Sequence, residues 1–196
     1  MYKKDMRVGL LFGSFNPIHN GHLAIAKECI KRGYVDFVRF VVANQNPFKD
    51  LYKINFWKRA DLIQDAINDD EQLVVSHAEG LLSDLNKSTK TYDVINHFKK
   101  RDREIEPIII CGDDVYNTIK TWYRGEDLLV ENKFIVFTRD SKIIQNNDNI
   151  IAYINIDGFE NYSSSDIRNR VKNGDDISGL VPDNIKNKII DLYGRK

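Results

Sequence analysis

Short apolar runs recur along the chain at Val8–Phe12, Phe37–Val42, Leu73–Val75, Ile108–Cys111, Phe134–Phe137 and Ile150–Ile154. Most of their residues are β-branched or aromatic and apolar on both faces, the pattern of strands covered by helices on either side. Between the runs the apolar period lengthens. Leu23, Ala26 and Ile30 recur at helical spacing. Phe56, Ala60, Ile63 and Ile67 do so more cleanly, behind Asn55 as an N-cap. Val94, Ile95 and Phe98 predict another helix, and Ile185, Ile189 and Leu192 a last one. The charged run "KKRDREIE" reads as a solvated helix end and loop.

Strand and helix in alternation imply right-handed βαβ units, hence a Rossmann-like α/β fold: a parallel sheet with helices on both faces. The polar link "TRDSKIIQNNDN" before Ile150 is short for a full crossover helix. The stretch "DLNKSTKT", Asp84 to Thr91, reads as a mobile surface loop. No internal repeat or low-complexity linker interrupts the pattern. A length of 196 residues suits a single α/β domain spanning 1–196.

Composition narrows the function classes. Lys+Arg and Asp+Glu both number 29, so the net charge is zero. A protein that coats nucleic acid needs a basic excess, so the balance argues against that role and leaves room for a local phosphate site. No run is long enough to span a membrane, and "MYKKDMRVGLLF" lacks the apolar core and cleavage site of a secretory signal. The expectation is a cytoplasmic protein. Its two cysteines, Cys29 and Cys111, read as small buried hydrophobes rather than a disulfide or zinc framework. Oligomeric state is not readable from these features.

The chemistry gathers at "GSFNPIHNGHL", directly after the first apolar run. Gly13 permits a tight turn, Pro17 fixes another, and Gly21 and His22 fall where a helix starts. A helix N-terminus offers N–H groups and a positive dipole to an anion. His19 and His22 add side-chain donors that respond to charge building on a phosphate. The alternatives are a metal pair, for which no thiolate or carboxylate cluster stands at familiar spacing, and a plain surface turn. The spacing is neither the dinucleotide fingerprint nor a Walker A loop. Far along the chain, "YSSSDIR" (Tyr162 to Arg168) reads as a serine-capped helix start with an arginine one turn on. That arginine can fork two phosphate oxygens, or simply sit on the surface.

"GSFNPIHNGH" and "YSSSDIR" resemble the two signatures of the HxGH nucleotidylyltransferases, with Tyr162 departing from the usual isoleucine. Across almost the whole chain the similarity is closest to the bacterial nicotinate-mononucleotide adenylyltransferase family. The resemblance implies a nucleotidylyltransferase-type fold and adenylyl transfer from ATP to nicotinate mononucleotide, giving deamido-NAD and pyrophosphate in NAD biosynthesis. It implies catalytic roles for His19, His22, Lys49 and Arg168. ATP would be held by Gly13, Ser14, Phe15, His19, His22, Gly112, Asp114, Ser163, Ser165, Ile167 and Arg168. The mononucleotide would meet Asn44, Lys49, Thr91 and Trp122, with the pyridine ring at Trp122 and its carboxylate facing Thr91. Mg²⁺ would ride on the phosphates, with no ligands from protein side chains.

The segments that carry this are "VVANQNPFKD", "GDDVYNTIKTWYR" and, more weakly, "TKTYDVI". Phe48 stands where the family often has histidine, and Lys90 and Val94 also depart from the pattern. Each segment has a plainer reading: Asn46-Pro47 as a turn, Trp122 as packing, Thr91 as a helix cap. Other acceptors on the same fold, such as nicotinamide mononucleotide or pantetheine phosphate, remain alternatives. So does a nucleotide sensor without turnover.

Overall fold

The computed structural model describes residues 6–44, 54–68, 70–84, 89–138, 147–155, 158 and 162–194. All six apolar runs are strands: β1 (Met6–Gly13), β2 (Phe37–Val42), β3 (Leu73–Ser76), β4 (Ile105–Gly112), β5 (Lys133–Thr138) and β6 (Ile150–Asn155). They form one sheet in the order β3-β2-β1-β4-β5-β6. Every pair is parallel. The predicted helices are present as α1 (Asn20–Lys31), α2 (Phe56–Ala66), α4 (Thr91–Arg101), α7 (Ser164–Asn173) and α8 (Asp183–Gly194). Asn55 caps α2, its side chain accepting the Lys58 N–H at 2.9 Å. Three helices were not foreseen: α3 (Ala78–Asp84), α5 (Asp113–Thr118) and α6 (Gly125–Glu131), the last two joined through a tight 3-10 turn at Ile119–Thr121. They are short and lack a repeated apolar stripe, so periodicity could not reveal them. Residues 85–88 of the expected loop and 139–146 of the polar link lie outside the described residues.

Strand geometry sorts the core into two layers. Successive side chains of β2 alternate, so Val38, Phe40 and Val42 face α1, α2, α7 and α8. Phe37 and Val41 face the opposite side, with α3, α4, α5 and α6. The same alternation runs through β4, with Ile108 and Ile110 on one face and Ile109 and Cys111 on the other. Cys29 and Cys111 are buried on opposite faces, and burial pushes the Cys29 thiol up to about 12, as expected of inert packing residues. Among the described residues no helix is long and apolar enough to cross a membrane.

Two charged residues correct the simple pattern. Arg39 sits in the middle of β2 and is buried, its guanidinium 4.9 Å from the Phe98 ring centroid. It pairs at 2.9 Å with Asp102, which belongs to the charged run expected to be solvated. Asp102 turns inward because the guanidinium on the sheet face requires a counter-charge. That run also enters β4 at Ile105, which is buried.

The Arg101 and Arg39 guanidiniums hold the Asp102 carboxyl at about 2, below its unperturbed 3.8. A depressed carboxyl pKa stabilises the fold above the unfolded-state value, and that stabilisation is lost as pH falls through the folded-state value. Asp102→Asn is therefore expected to lower unfolding stability at neutral pH by about 3 kcal/mol. In denaturant titrations at a series of pH values, the gap from wild type should narrow as pH falls from about 4 toward about 2.

Candidate active site

The strand order reverses direction between β1 and β4, and in open parallel sheets ligands bind outside the carboxyl ends of the strands at such a point. The register pairs Leu11 with Ile110. Continued to the strand ends, it sets Gly13 beside Gly112. A Cβ on Gly13 would lie 2.9 Å from the Phe15 ring, and one on Gly112 would lie 2.5 Å from an Asp114 carboxylate oxygen. Each glycine thus lets the chain after its strand fold back over the strand end.

Phe15 takes a left-handed backbone conformation, φ 43°, uncommon for a residue with a bulky side chain. Its ring is buried, edge-on to His22 at 4.9 Å and to Phe40 at 5.5 Å. Phe15 therefore anchors the loop, and only its backbone is available to a ligand. His19 is the N-cap of α1, and its ring stacks on His22 at 3.6 Å. The His22 Nδ1 accepts the His19 N–H at 3.3 Å, which leaves Nε2 as the nitrogen of neutral His22 that can donate. The Asn20 N–H at the start of α1 goes to the Leu180 carbonyl at 2.9 Å, so this helix end is not wholly open to an anion as the sequence suggests.

The two distant motifs meet. Arg168 Nη1 donates to the Asn16 carbonyl at 2.6 Å, and its Nη2 donates to Ser165 Oγ at 3.0 Å. Ser164 Oγ donates to the Pro17 carbonyl at 2.8 Å. Ser163 caps α7, its hydroxyl accepting the Asp166 N–H. Tyr162 stacks on His19 at 6.1 Å, so its departure from isoleucine adds an aromatic wall beside the histidines. Ile167 is fully buried, and its N–H donates to the Ser163 carbonyl at 3.0 Å. Its side chain packs the core and does not face a ligand.

On the other flank, Asn44 follows β2 and Thr91 is the first residue of α4. Lys90 rather than Thr91 occupies the cap position. Trp122 is half-buried against the α4 side of the core. The neighbours of Thr91 and Trp122 touch: Tyr92 lies 6.4 Å from the Tyr123 ring and 4.2 Å beneath the Arg124 guanidinium. Ser14 and Asn44 are tied to one another through Arg59, which donates to both carbonyls. Lys49 and Phe48 lie outside the described residues. Among the described residues, no three His, Cys, Asp or Glu side chains gather to hold a metal ion.

Four participants were not foreseen: Asn16, Arg59, Glu79 and Tyr193. Arg59 carried a signal, since it falls within the apolar stripe of α2, three residues after Phe56 and four before Ile63. Its guanidinium is fully buried and also donates to the Ala43 and Ile54 carbonyls. Tyr193 donates to Asn16 Oδ1 at 2.7 Å, and burial raises its hydroxyl pKa.

The cytidylyltransferase-like family model matches residues 10–170. A relative from Exiguobacterium sibiricum, named "Probable nicotinate-nucleotide adenylyltransferase", is 32% identical over 94% of this chain and 96% of its own length. One of the same name from Clostridium kluyveri is 31% identical over 92% of this chain and 96% of its own. The solved structure of Plasmodium falciparum nicotinic acid mononucleotide adenylyltransferase complexed with NaAD superposes with a TM-score of 0.76. It covers 95% of this chain and 94% of that one at 22% identity, which speaks to the fold. With relatives at this identity over nearly their whole length, the chain belongs to the nicotinate-nucleotide adenylyltransferase family of cytidylyltransferase-like proteins.

Proposed function

We propose that this protein transfers the adenylyl group of ATP to nicotinate mononucleotide, forming deamido-NAD and releasing pyrophosphate. The observation that carries the reading is the meeting of the two motifs through Arg168 and Asn16 at the end of β1. A mononucleotide phosphate oxygen attacks the α-phosphorus of ATP as the bond to the bridging oxygen breaks, and pyrophosphate departs with that electron pair. No covalent enzyme intermediate is required, so the chain contributes position and charge stabilisation.

In this reading the Gly13–Phe15 backbone and the histidines cradle the triphosphate. The Nε2 of His22 donates to the α-phosphate as charge builds there. Ser165 and Arg168 hold the leaving pyrophosphate. Arg168 already donates to Asn16 and Ser165, so it meets phosphate as a braced fork rather than a free arm. Gly112 and Asp114 receive the ribose side of ATP. Asn44 and Lys49 hold the mononucleotide phosphate. Mg²⁺ bound to ATP would neutralise phosphate charge, and an ion carried on phosphate oxygens and water needs few protein ligands.

The pyridine end is read from α4. The first N–H groups of a helix have no carbonyl one turn back to pair with, and they form its positive end. Thr91 opens α4 beside the Trp122–Arg124 segment, which gives a ring on Trp122 a set of donors for its carboxylate. A carboxylate accepts from all of them, whereas a carboxamide turns its NH₂ toward at least one donor.

Pyrophosphate release with ATP and several acceptors tests the assignment. Nicotinate mononucleotide is expected to exceed its nicotinamide counterpart by roughly 5- to 150-fold in kcat/KM, the effect of one unpaired buried donor. Turnover only with pantetheine phosphate, or with no acceptor, would overturn it. His22→Ala is expected to lower kcat about 10²–10³-fold with little change in the KM for ATP, because its donation matters most at the transition state. Trp122→Ala is expected to raise the KM for the mononucleotide by an amount corresponding to about 1–3 kcal/mol of lost stacking and to spare that for ATP. Equal damage to both substrates would make Trp122 a core residue.

A further inference from the structure

Glu79 lies in α3, outside every motif that carries the family resemblance. Its carboxylate is buried, and it accepts the Asn44 N–H at 2.9 Å. Asn44 is also held on its other side, where Arg59 donates to its carbonyl at 3.1 Å. The same guanidinium donates to the Ser14 carbonyl after β1 and to the Ala43 carbonyl at 2.8 Å. A buried acid and a buried base thus grip one peptide turn, and the base alone reaches across to the loop that follows β1. A buried carboxylate has no stability rationale of its own, since desolvation costs more than one hydrogen bond returns. Its place is explained by what it holds.

We infer that Glu79 is a positioning residue for the mononucleotide half of the site, setting the Asn44 turn through its N–H while Arg59 ties that turn to the phosphate loop at Ser14. The inference rests on the adenylyl-transfer reading, in which Asn44 meets the mononucleotide phosphate. The ionised carboxylate accepts a stronger, charge-assisted bond and balances the Arg59 charge. The neutral acid keeps only a weaker acceptor. Burial raises the Glu79 carboxyl to about 7, against the lowering effects of the Asn44 N–H and of Arg59. Among the described residues, Arg59 of α2 is the charged group that acts on it from another element. His77, two residues earlier, turns its ring onto Trp57 at 5.6 Å. Because the folded-state pKa is raised, the ionised, turn-setting form prevails above about pH 7 and gives way to the neutral form below it.

Glu79→Gln keeps the shape and an acceptor oxygen but removes the charge. At about pH 8 the variant is expected to raise the KM for nicotinate mononucleotide about fivefold, the difference between a charged and a neutral acceptor, while the KM for ATP stays within about twofold. At about pH 6 the variant and wild type should converge, because wild-type Glu79 is then neutral. Taking the ratio of variant to wild type at each pH cancels the titration of the substrate phosphate and of the histidines. A ratio that is flat across this range, or an equal rise for ATP, would reduce Glu79 to a packing residue. Glu79→Asp, which restores the charge on a shorter arm, should recover the pH dependence in part. No recovery would also count against the role. If wild type itself fails to turn over the mononucleotide, the adenylyl-transfer reading fails. If wild type turns over and the ratio is flat, only the role of Glu79 fails.

Discussion

A buried arginine organises this site. Arg59 has no exposed surface, and its guanidinium donates to the carbonyls of Ile54, Ser14, Ala43 and Asn44. A charge taken out of water must be met by dipoles or counter-charge, or the fold does not form. Here the partners are main-chain carbonyls at the start of α2 and after two neighbouring strands. The planar fork demands that these carbonyls converge, so the loops after β1 and β2 cannot drift independently. Glu79 closes the arrangement from the β3 side by taking the Asn44 N–H. The ends of three adjacent strands become one rigid platform.

A second set of contacts joins the beginning of the chain to its end. Arg168 and Tyr193 both bond Asn16, Ser164 bonds Pro17, and Asn20 bonds the backbone at Gly179 and Leu180. The loop after β1 is therefore held from below by Arg59 and from the side by α7, α8 and the turn between them. In the proposed reaction such a loop gains from this bracing, because donors already in place need not reorganise when charge develops. Phe15 completes the support, its strained backbone offset by a ring buried between His22 and Phe40.

Much of this was open to reading before the structure. The six strands followed from short apolar runs, and α2 from its clean stripe and the Asn55 cap. The glycine- and histidine-bearing motif lay where strand gave way to helix. The short helices α3, α5 and α6 were hidden, since a helix of two turns offers too few positions to show a period. The charged neighbours of Asp102 in sequence point it toward solvent. Only the position of Arg39 on the sheet face turns it inward. Ile167 stands in the signature segment, yet the helix phase sends its side chain to the core.

By itself, then, the sequence determined the alternation of strand and helix, the parallel sheet, and the loop bearing Gly13, His19 and His22 between the first strand and the first helix. These depend on local periodicity and turn chemistry, which neighbouring residues carry. Tertiary structure alone decided which distant groups meet: Arg168 on Asn16, Glu79 on Asn44, and Arg59 across the ends of β1 and β2. Such pairings join residues far apart in the chain. They are selected by the cost of leaving a buried charge or backbone group unpaired, and that cost exists only once the chain has closed around them.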